Sequence, residues 1–445
     1  MRWSVVLLAP LLLTTGASIG ATLRVPQDYS TIQAAIESAS PGDEVVISPG
    51  TYEGGVFVDK DLTLRGEGEV ILAGGFVPSE DQIDLKALYG LLALNPRLSF
   101  TVRVCILVNG AHVILENLAI ERADIGLLAT EEAEVSCRKL AAAASYWDVV
   151  GQGNARLALE GCEFGPAIGA GLSLSDSAVA ELASCTFQAE PSLGPAGTGL
   201  EVLLDPELYP AAVFLKDSAR VRLEGCELSG GGTGIWVEKA EDVCLAGCTI
   251  SGFSRGVYLD GGSLLATDTS FFGSGTSLFL DAHAGAVCRD CTFAPSGTAV
   301  VLGPGATFEG EGCAFRGGAG PAIRTAALKG FELTLRGSRI EDVQGDALYL
   351  MSTGSANLEE CSIQGNAGAG IRLGAGAELS LTGCTIAGNR WGILIEAKSC
   401  ELAVYKRAFT GAISEGGNEI SGNTEADLCP VYPGPPWPVD FLTNN

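Results

Sequence analysis

The chain has 445 residues, of which 53 are acidic and 27 are basic, so its formal net charge is −26. An acidic surface of this size repels nucleic-acid phosphates and anionic lipid headgroups, which argues against a nucleic-acid-binding protein. The 2 histidines and 2 methionines argue against a histidine-ligated metal centre, a haem protein or a methionine-rich copper carrier. The 60 glycines and the hydrophobic share of 47% indicate a folded chain that is rich in turns.

Residues 1–21 have the three parts of a secretory signal peptide. Arg2 precedes an apolar run from Val5 to Leu13, and small residues continue to Ala21. We expect cleavage near Ala21, which would leave an exported chain in the periplasm, on the cell surface or outside the cell. An uncleaved membrane anchor is the alternative, but the apolar run is shorter than the roughly 20 residues that span a bilayer.

A short helix is predicted directly after this segment. Ser30 and Gln33 have the spacing of a capping box, and an apolar run with helical spacing begins at Ile32 and continues to Ala39. We expect this helix to cap the N-terminal end of the repeats that follow, since that end would otherwise expose apolar residues and an unpaired strand edge.

A repeat of about 22 residues organises almost all of the remaining chain. Its marker is the phrase Gly-Cys-x-apolar, with the cysteine at Cys162, Cys226, Cys248, Cys313 and Cys384 and variants at Cys137, Cys185, Ser270, Cys291, Ser338 and Cys361. About 12 residues before each marker lies an apolar alternation such as Ile235-Trp236-Val237, and two further short strands flank the marker. Three short strands per repeat predict one coil of a parallel β-solenoid, in which each coil buries its inward residues against its neighbours.

A leucine-rich horseshoe and a β-sandwich are the alternatives to this architecture. The sequence lacks the leucine spacing and the helical half-repeat of the horseshoe, and a sandwich does not explain a marker that recurs so evenly.

Three segments near the start of the chain add a second pattern: YSTIQAAI at 29–36, PGTYE at 49–53 and LTLRG at 62–66. They resemble the usual start of the right-handed parallel β-helix proteins of the pectin-lyase-like group. The resemblance implies an all-β, right-handed parallel β-helix (a solenoid) over residues 22–425, including its N-terminal capping helix. The prolines near the end of the chain predict a Pro-rich C-terminal tail over residues 426–445. Since this group contains lyases, hydrolases, epimerases and adhesins, the resemblance implies a fold and leaves the function open.

Four stretches interrupt the period, at about residues 76–100, 141–152, 188–211 and 398–417. Long excursions from a regular scaffold often carry function, and loop variation without function is the alternative.

Most of the 14 cysteines belong to the marker column. Equivalent residues of adjacent coils lie about 4.8 Å apart, farther than the Cβ separation of about 3.8 Å that a disulfide prefers. We therefore expect the column to consist mostly of buried free thiols, with partial bridging as the alternative. Cys244 falls on an outward position, and Cys400 can form a disulfide with Cys429 in the irregular C-terminal region.

One outer face of the predicted solenoid carries the candidate site. The central residue of each alternation points outward, which gives an aromatic row of Phe214, Trp236, Tyr258 and Phe279. Two residues later on the same strands come Lys216, Glu238, Asp260 and Asp281. Farther along, the aromatic column continues with Arg324, Tyr349 and Arg372, which could meet acidic groups of a polymer.

Aromatic rings stack on pyranose faces, and neighbouring carboxylates can hold Ca²⁺ or act as acid and nucleophile in glycoside chemistry. Glu238, Asp260 and Asp281 are therefore both the candidate calcium ligands and the candidate catalytic residues. The alternative is a packing ladder of aromatic side chains, in which Asp260 and Asp281 simply begin turns.

We expect an exported β-helix protein that binds a polysaccharide or cell-surface glycan along one solenoid face. The alternatives are a polysaccharide lyase, glycoside hydrolase or epimerase that uses the three acids, and a passive structural or adhesive spacer. The sequence favours binding over catalysis without deciding between them. We expect neither nucleic acid nor, after signal cleavage, a membrane as a partner.

Overall fold

The computed structural model describes residues 20–79, 82–83, 102–143, 146–167, 169–189, 211–326, 330–374, 376–395 and 413–429. Within these ranges the chain forms three long ladders of short parallel strands and one α-helix. Residues 1–19 of the predicted signal peptide lie outside the described residues.

The first ladder begins at the N-terminal strand and runs through the whole solenoid. Its strands are Thr22–Val25, Asp43–Ile47, Leu62–Gly66, His112–Glu121, Glu134–Ala143, Arg156–Glu160, Val179–Ala183, Arg220–Glu224, Asp242–Ala246, Ser263–Thr267, Gly285–Arg289, Ala306–Glu311, Phe331–Arg336, Gly354–Glu359, Ala377–Thr382 and Ile413–Gly416.

The second ladder follows the first around a sharp corner. Its strands are Gly50–Glu53, Val70–Ala73, Glu163–Phe164, Thr186–Ala189, Glu227–Gly230, Thr249–Ser251, Ser270–Phe272, Thr292–Ala294, Ala314–Arg316, Arg339–Glu341, Ser362–Gln364, Thr385–Ala387 and Glu419–Ser421. The strands His112–Glu121 and Glu134–Ala143 pair in both ladders and join them into one 29-stranded sheet.

The third ladder is a separate 15-stranded sheet. Its strands are Val56–Val58, Val104–Asn109, Ile125–Thr130, Trp147–Gly151, Ala170–Leu174, Ala211–Lys216, Thr233–Glu238, Arg255–Asp260, Thr276–Asp281, Thr298–Leu302, Ile323–Thr325, Leu348–Leu350, Ala369–Leu373, Trp391–Ile395 and Ala426–Cys429.

Each coil of the chain contributes to these ladders in turn, so the predicted parallel β-solenoid is confirmed. The register follows the sequence repeat, since Val213 lies opposite Ile235 and Ile235 lies opposite Val257. Inward residues form one continuous apolar core along the solenoid axis. Its aromatic members stack coil on coil: the Phe271 and Phe293 ring centroids are 4.8 Å apart with an interplanar angle of 1°.

The glycine of the sequence marker turns the chain between the first and second ladders. Gly225, Gly247 and Gly383 have φ angles of 58°, 61° and 63°, in the left-handed region that glycine enters without a Cβ clash. Where a coil lacks this glycine, Asp268 and Asp290 adopt the same conformation with φ angles of 49° and 51°.

The residue after this turn forms the buried marker column. Its side chain donates a hydrogen bond to carbonyls at the corner: Cys248 Sγ lies 3.4 Å from Leu223 O, and Thr269 Oγ1 lies 3.0 Å from Thr267 O. The register gives the column as Cys162, Cys185, Cys226, Cys248, Thr269, Cys291, Cys313, Ser338, Cys361 and Cys384.

Two predicted members of the column are wrong. Ser270 lies opposite Thr249 and therefore follows the column by one residue, so that Thr269 is the true member. Cys137 is an inward strand residue, because it lies opposite Leu115 and Leu159 in the first ladder.

The expectation of free thiols is confirmed for the column, whose cysteines are all free and buried. Cys244 is a free thiol that is only partly buried, as expected for an outward position. Cys429 is disulfide-bonded, and Cys400, its expected partner, lies outside the described residues.

The helix spans Ile32–Ser38, but its N-terminus differs from the prediction. Thr31 is the N-cap, and its Oγ1 accepts the backbone N–H of Ala34 at 3.2 Å. The side chain of Gln33 accepts the backbone N–H of Phe57 instead of closing a capping box with Ser30. The helix contacts the first strands of the solenoid, and its role in capping the end remains a prediction.

Two expectations about interruptions and boundaries also change. Within residues 141–152, the described parts belong to regular strands, since one strand ends at Ala143 and another spans Trp147–Gly151. The other three predicted interruptions lie largely outside the described residues. Strand Ala426–Cys429 pairs with Trp391–Ile395, so the solenoid continues past the predicted end at residue 425. No helix in the described ranges is long and apolar enough to cross a membrane.

Candidate functional site

The aromatic row predicted from the repeat lies in register on the outer side of the 15-stranded sheet. Phe214 lies opposite Trp236, Trp236 opposite Tyr258, and Tyr258 opposite Phe279. The ring centroids are 4.8 Å apart for Phe214 and Trp236, and 5.5 Å apart for Tyr258 and Phe279. Each ring therefore contacts a ring of an adjacent coil.

Only half of this row reaches the surface. Phe214 is 2% exposed and Trp236 is 7% exposed, whereas Tyr258 and Phe279 are partly exposed. The expectation of four exposed rings is therefore wrong for the first two. They belong to a second apolar cluster, outside the solenoid core, that contains Ile83, Val102, Val104, Leu107, Ile125, Leu128, Trp147, Val150, Ala170 and Ala211.

Packing in this second cluster explains why Phe214 and Trp236 are buried although they point away from the solenoid core. Ile83 and Val102 are not members of the 15-stranded sheet, yet both are buried in the cluster with Phe214 and Trp236. A residue that points away from the solenoid core is therefore not necessarily exposed, because other parts of the chain can pack against the outer face of the sheet.

The partly exposed part of the row is the ring pair Tyr258 and Phe279, with the guanidinium of Arg255 over both rings. Arg255 places its guanidinium carbon 5.2 Å from the ring centroid of Tyr258 and 5.8 Å from that of Phe279. Both distances fall within the range of a cation–π contact, about 6 Å. We call these three residues, Arg255, Tyr258 and Phe279, the aromatic window.

Sequence reasoning missed Arg255 because the strand does not alternate strictly at its start. Arg255 and Val257 would share a face in a regular strand, but the pairing register passes over Gly256. A Cβ at Gly256 would meet Ser277 O at 2.7 Å and the Ile250 side chain at 3.5 Å, so this glycine faces the core. The glycine directly before the apolar alternation is the sequence signal that could have revealed this irregularity.

The three predicted acids stand beside the window in the expected register. Glu238 lies opposite Asp260, which lies opposite Asp281, and all three are partly exposed. Burial raises the pKa of the Tyr258 hydroxyl, the charges of Asp281 and Asp260 raise it further, and Arg255 opposes them. Both aspartates thus lie close enough to Tyr258 to act on its hydroxyl electrostatically.

The assignment of these acids as Ca²⁺ ligands stays a prediction. Among the described residues, no three His, Cys, Asp or Glu side chains are arranged to hold a metal ion. Asp281 Oδ1 instead accepts the backbone N–H of Ala282 at 2.9 Å and begins a turn. Acids at equivalent positions of neighbouring parallel strands lie side by side.

The acids also lie away from the surface depressions described for this chain. Depressions of about 200, 240 and 290 Å³ lie on the outer face of the 29-stranded sheet, near Ala141, Ala158 and Glu181. Their linings include none of Glu238, Asp260 and Asp281. The acid row therefore lies on a different face of the solenoid.

The predicted extension of the row, Arg324, Tyr349 and Arg372, lies in register, but Arg372 forms an ion pair within the protein. Arg324 lies opposite Tyr349, and Tyr349 lies opposite Arg372. Arg372 is 16% exposed and forms an ion pair with Asp346, with Nε 2.6 Å from Oδ2. Val301 is buried between Phe279 and Arg324 in the same row, so this extension is separated from the aromatic window.

The sequence matches the family model of a right-handed β-helix region over residues 209–329 and 327–424. No curated protein has a significant match to the chain. Among solved structures, it is similar to the A-module of a mannuronan C-5 epimerase of Azotobacter vinelandii, with 12% identity over 87% of this chain and 93% of that chain and a TM-score of 0.35.

Two further similar structures are a tailspike protein of E. coli bacteriophage HK620 and a mannuronic-acid-specific polysaccharide family 6 lyase from human gut microbiota. The tailspike match has 12% identity over 88% of this chain and 75% of that chain, with a TM-score of 0.42. The lyase match has 11% identity over 81% and 86%, with a TM-score of 0.39. Similarity at this level says nothing about the ligand or chemistry of the present chain.

Proposed function

Since the chain is a right-handed parallel β-helix repeat protein, we propose that it is an exported protein that uses the outer face of its solenoid to bind a polysaccharide or cell-surface glycan. The binding site is the aromatic window. Export rests on the predicted signal peptide at residues 1–21.

The observation that carries this proposal is the pair of partly exposed rings on adjacent coils. Tyr258 and Phe279 have centroids 5.5 Å apart, and the spacing of coils, about 4.8 Å, is close to the length of one sugar unit. The apolar face of a pyranose can pack on each ring, while its hydroxyls meet polar groups beside the rings. Asp260, which lies opposite Glu238 and Asp281 beside the rings, supplies an acceptor there.

The rigidity of the scaffold supports binding by such a small surface. Each strand of the window is held by parallel neighbours on both sides, so little conformational freedom is lost when a ligand is bound. Because only two rings are exposed, the site spans about two sugar units and its affinity is modest.

The test is the double variant Tyr258→Ala with Phe279→Ala, assayed by affinity electrophoresis through gels that contain a panel of polysaccharides. We expect the double variant to lose at least about tenfold in affinity, roughly 1.4 kcal/mol, for the polysaccharide that retards the parent chain. Phe272→Ala is the matched control, since Phe272 is an aromatic residue 42% exposed on the second ladder. Unchanged retention of the double variant, with an unchanged far-UV circular dichroism spectrum, would show that the rings only pack.

The second candidate is a carbohydrate-active lyase, hydrolase or epimerase. The in-register row of Glu238, Asp260 and Asp281 favours it, because neighbouring carboxylates can divide acid and base roles. Release of new products from the bound polysaccharide, abolished by Asp260→Asn, would establish catalysis at the same face. A chain that neither retains nor converts any glycan would be a passive spacer.

A further inference from the structure

Three acids, Glu238, Asp260 and Asp281, form one row beside the aromatic window. Lys216 stands opposite Glu238 on the preceding coil, but Asp260 has only acids as its strand neighbours, and Asp281 has Gly303 on its other side. No ion pair in the described part of the chain involves Glu238, Asp260 or Asp281.

The 29-stranded sheet shows the contrast. There, acids of one coil pair with arginines of an adjacent coil, as Glu44 does with Arg65 at 2.7 Å and Glu359 with Arg336 at 3.0 Å. Such pairs neutralise some of the acids on the outer face of that sheet. The acids beside the window lack this compensation, so their charge is available to a ligand.

Arg255 shows that the two rings accept a cation. Its guanidinium lies over both Tyr258 and Phe279, where the negative faces of aromatic rings attract positive charge. A carboxylate placed at the same point would face those ring faces and the two aspartates at once. The surroundings of the rings therefore favour positive charge and oppose negative charge.

We propose that the window selects glycans that carry protonated amino groups, such as oligomers of glucosamine, and rejects polyuronates. This inference rests on the proposed function and specifies the class of sugar. The ammonium group of the ligand replaces the Arg255 guanidinium on the ring faces, with Asp260 and Asp281 as its counter-ions. Arg255 is thus a placeholder that moves aside when the ligand binds.

The experiment compares three oligosaccharides of equal length by isothermal titration calorimetry with the full chain at mildly acidic pH. A glucosamine oligomer and its N-acetylated form share one backbone and differ in charge, and a galacturonate oligomer supplies the opposite charge. We expect the glucosamine oligomer to bind at least about tenfold more tightly than the acetylated one, with no detectable binding of galacturonate. Added salt should reduce this preference, since salt screens charges at an exposed surface.

Two sets of variants test the assigned roles. Asp260→Asn with Asp281→Asn should remove the preference for the charged oligomer, while the exposed acids of the matched control, Glu332→Gln with Glu378→Gln, leave it intact. Arg255→Gln should raise the affinity for the glucosamine oligomer several-fold, because the ring faces are then free. Weaker binding by Arg255→Gln would make Arg255 a ligand contact and overturn its role as a placeholder.

The outcomes separate the inference from the function on which it rests. Equal binding of the charged and acetylated oligomers, or tighter binding of galacturonate, overturns the sugar class while the rings still matter. Displacement of the glucosamine oligomer by oligolysine at the same concentration overturns it too, since the site then responds to charge alone. If Tyr258→Ala with Phe279→Ala leaves all binding unchanged, the proposed function itself fails.

Discussion

Asp346 accepts hydrogen bonds from two groups on the next coil. Its carboxylate accepts the Arg372 side chain at 2.6 Å and the backbone N–H of Ala369 at 2.7 Å. The planar guanidinium of Arg372 suits this two-point contact. Strand alternation correctly predicts that Arg372 points outward, and the sequence analysis therefore assigns it to ligand binding. Its partner Asp346 lies before the strand Leu348–Leu350 of the neighbouring coil, so the alternation pattern does not reveal the ion pair.

Asp346→Asn should therefore destabilise the chain. The side chains of Asp346 and Arg372 are only 9% and 16% exposed, so the substitution removes the carboxylate charge beside a largely buried guanidinium, at a cost of about 2 kcal/mol. Urea unfolding monitored by far-UV circular dichroism measures this change. Glu425→Gln is the control, since the exposed pair Arg390–Glu425 contributes less than about 1 kcal/mol. Similar small effects of both substitutions would show that Arg372 is not held by Asp346.

At the scale of the element, the corner between the first two ladders explains why the marker recurs. A small side chain with a hydrogen-bond donor follows the left-handed turn and bonds to the carbonyls there, which cysteine, threonine and serine all do. The sequence predicts this column from its period. It misplaces two members: Ser270, because Asp268 replaces the glycine of the turn in that coil and hides Thr269, and Cys137, which is an inward strand residue.

The column also predicts how stability depends on pH. A hydrogen bond with the Cys185 thiol, together with burial, raises the pKa of Cys226 to about 11, while a cysteine in an unfolded chain ionises near 8.5. The folded state thus holds the proton more tightly. The stabilising effect of the Cys226 thiol is complete below about pH 8.5 and is lost as the pH rises towards 11, at about 1.4 kcal/mol per pH unit.

Urea unfolding at pH 7 and pH 10 measures this effect. We expect the parent chain to lose stability at pH 10 and Cys226→Thr to lose less, because threonine keeps the donor, as Thr269 does, and does not titrate in this range. An equal loss in both chains would mean that the Cys226 thiol does not contribute.

At the scale of the whole molecule, the sequence predicts the architecture but not which surfaces are covered. Alternation with a period of two assigns each side chain to one face of its strand, and the repeat then fixes the register between coils. This is why Phe214, Trp236 and Tyr258 lie side by side as expected. Exposure depends instead on contacts with segments outside the repeat, such as Ile83 and Val102, and these contacts leave no periodic signal.

The solenoid should tolerate the loss of a complete coil. Thr292 lies opposite Ala314. Deletion of residues 292–313 therefore joins Cys291 to Ala314, which occupies in its own coil the position that Thr292 occupies one coil earlier. Phe315, which stacks on Phe293 at 4.8 Å, would then stack on Phe271. Since each coil contacts mainly its neighbours, we expect a soluble chain with a β-rich circular dichroism spectrum.

A matched deletion tests the importance of register in that experiment. Removal of residues 292–302 takes out part of a coil and shifts every later strand to the wrong ladder. We expect this shorter deletion to give insoluble or protease-sensitive protein. Equal tolerance of both deletions would mean that coil register does not govern folding.

The buried outer face also determines what intrinsic fluorescence can report. Trp147, Trp236 and Trp391 are 2%, 7% and 6% exposed, and all three belong to apolar clusters outside the solenoid core. The emission of these three indoles therefore reports whether water reaches the apolar clusters on the outer face of the 15-stranded sheet. The far-UV circular dichroism signal reports the strands of the coils. If these apolar clusters open before the solenoid unfolds on heating, the emission shifts to longer wavelengths before the circular dichroism signal of the strands is lost. The two melting curves then separate.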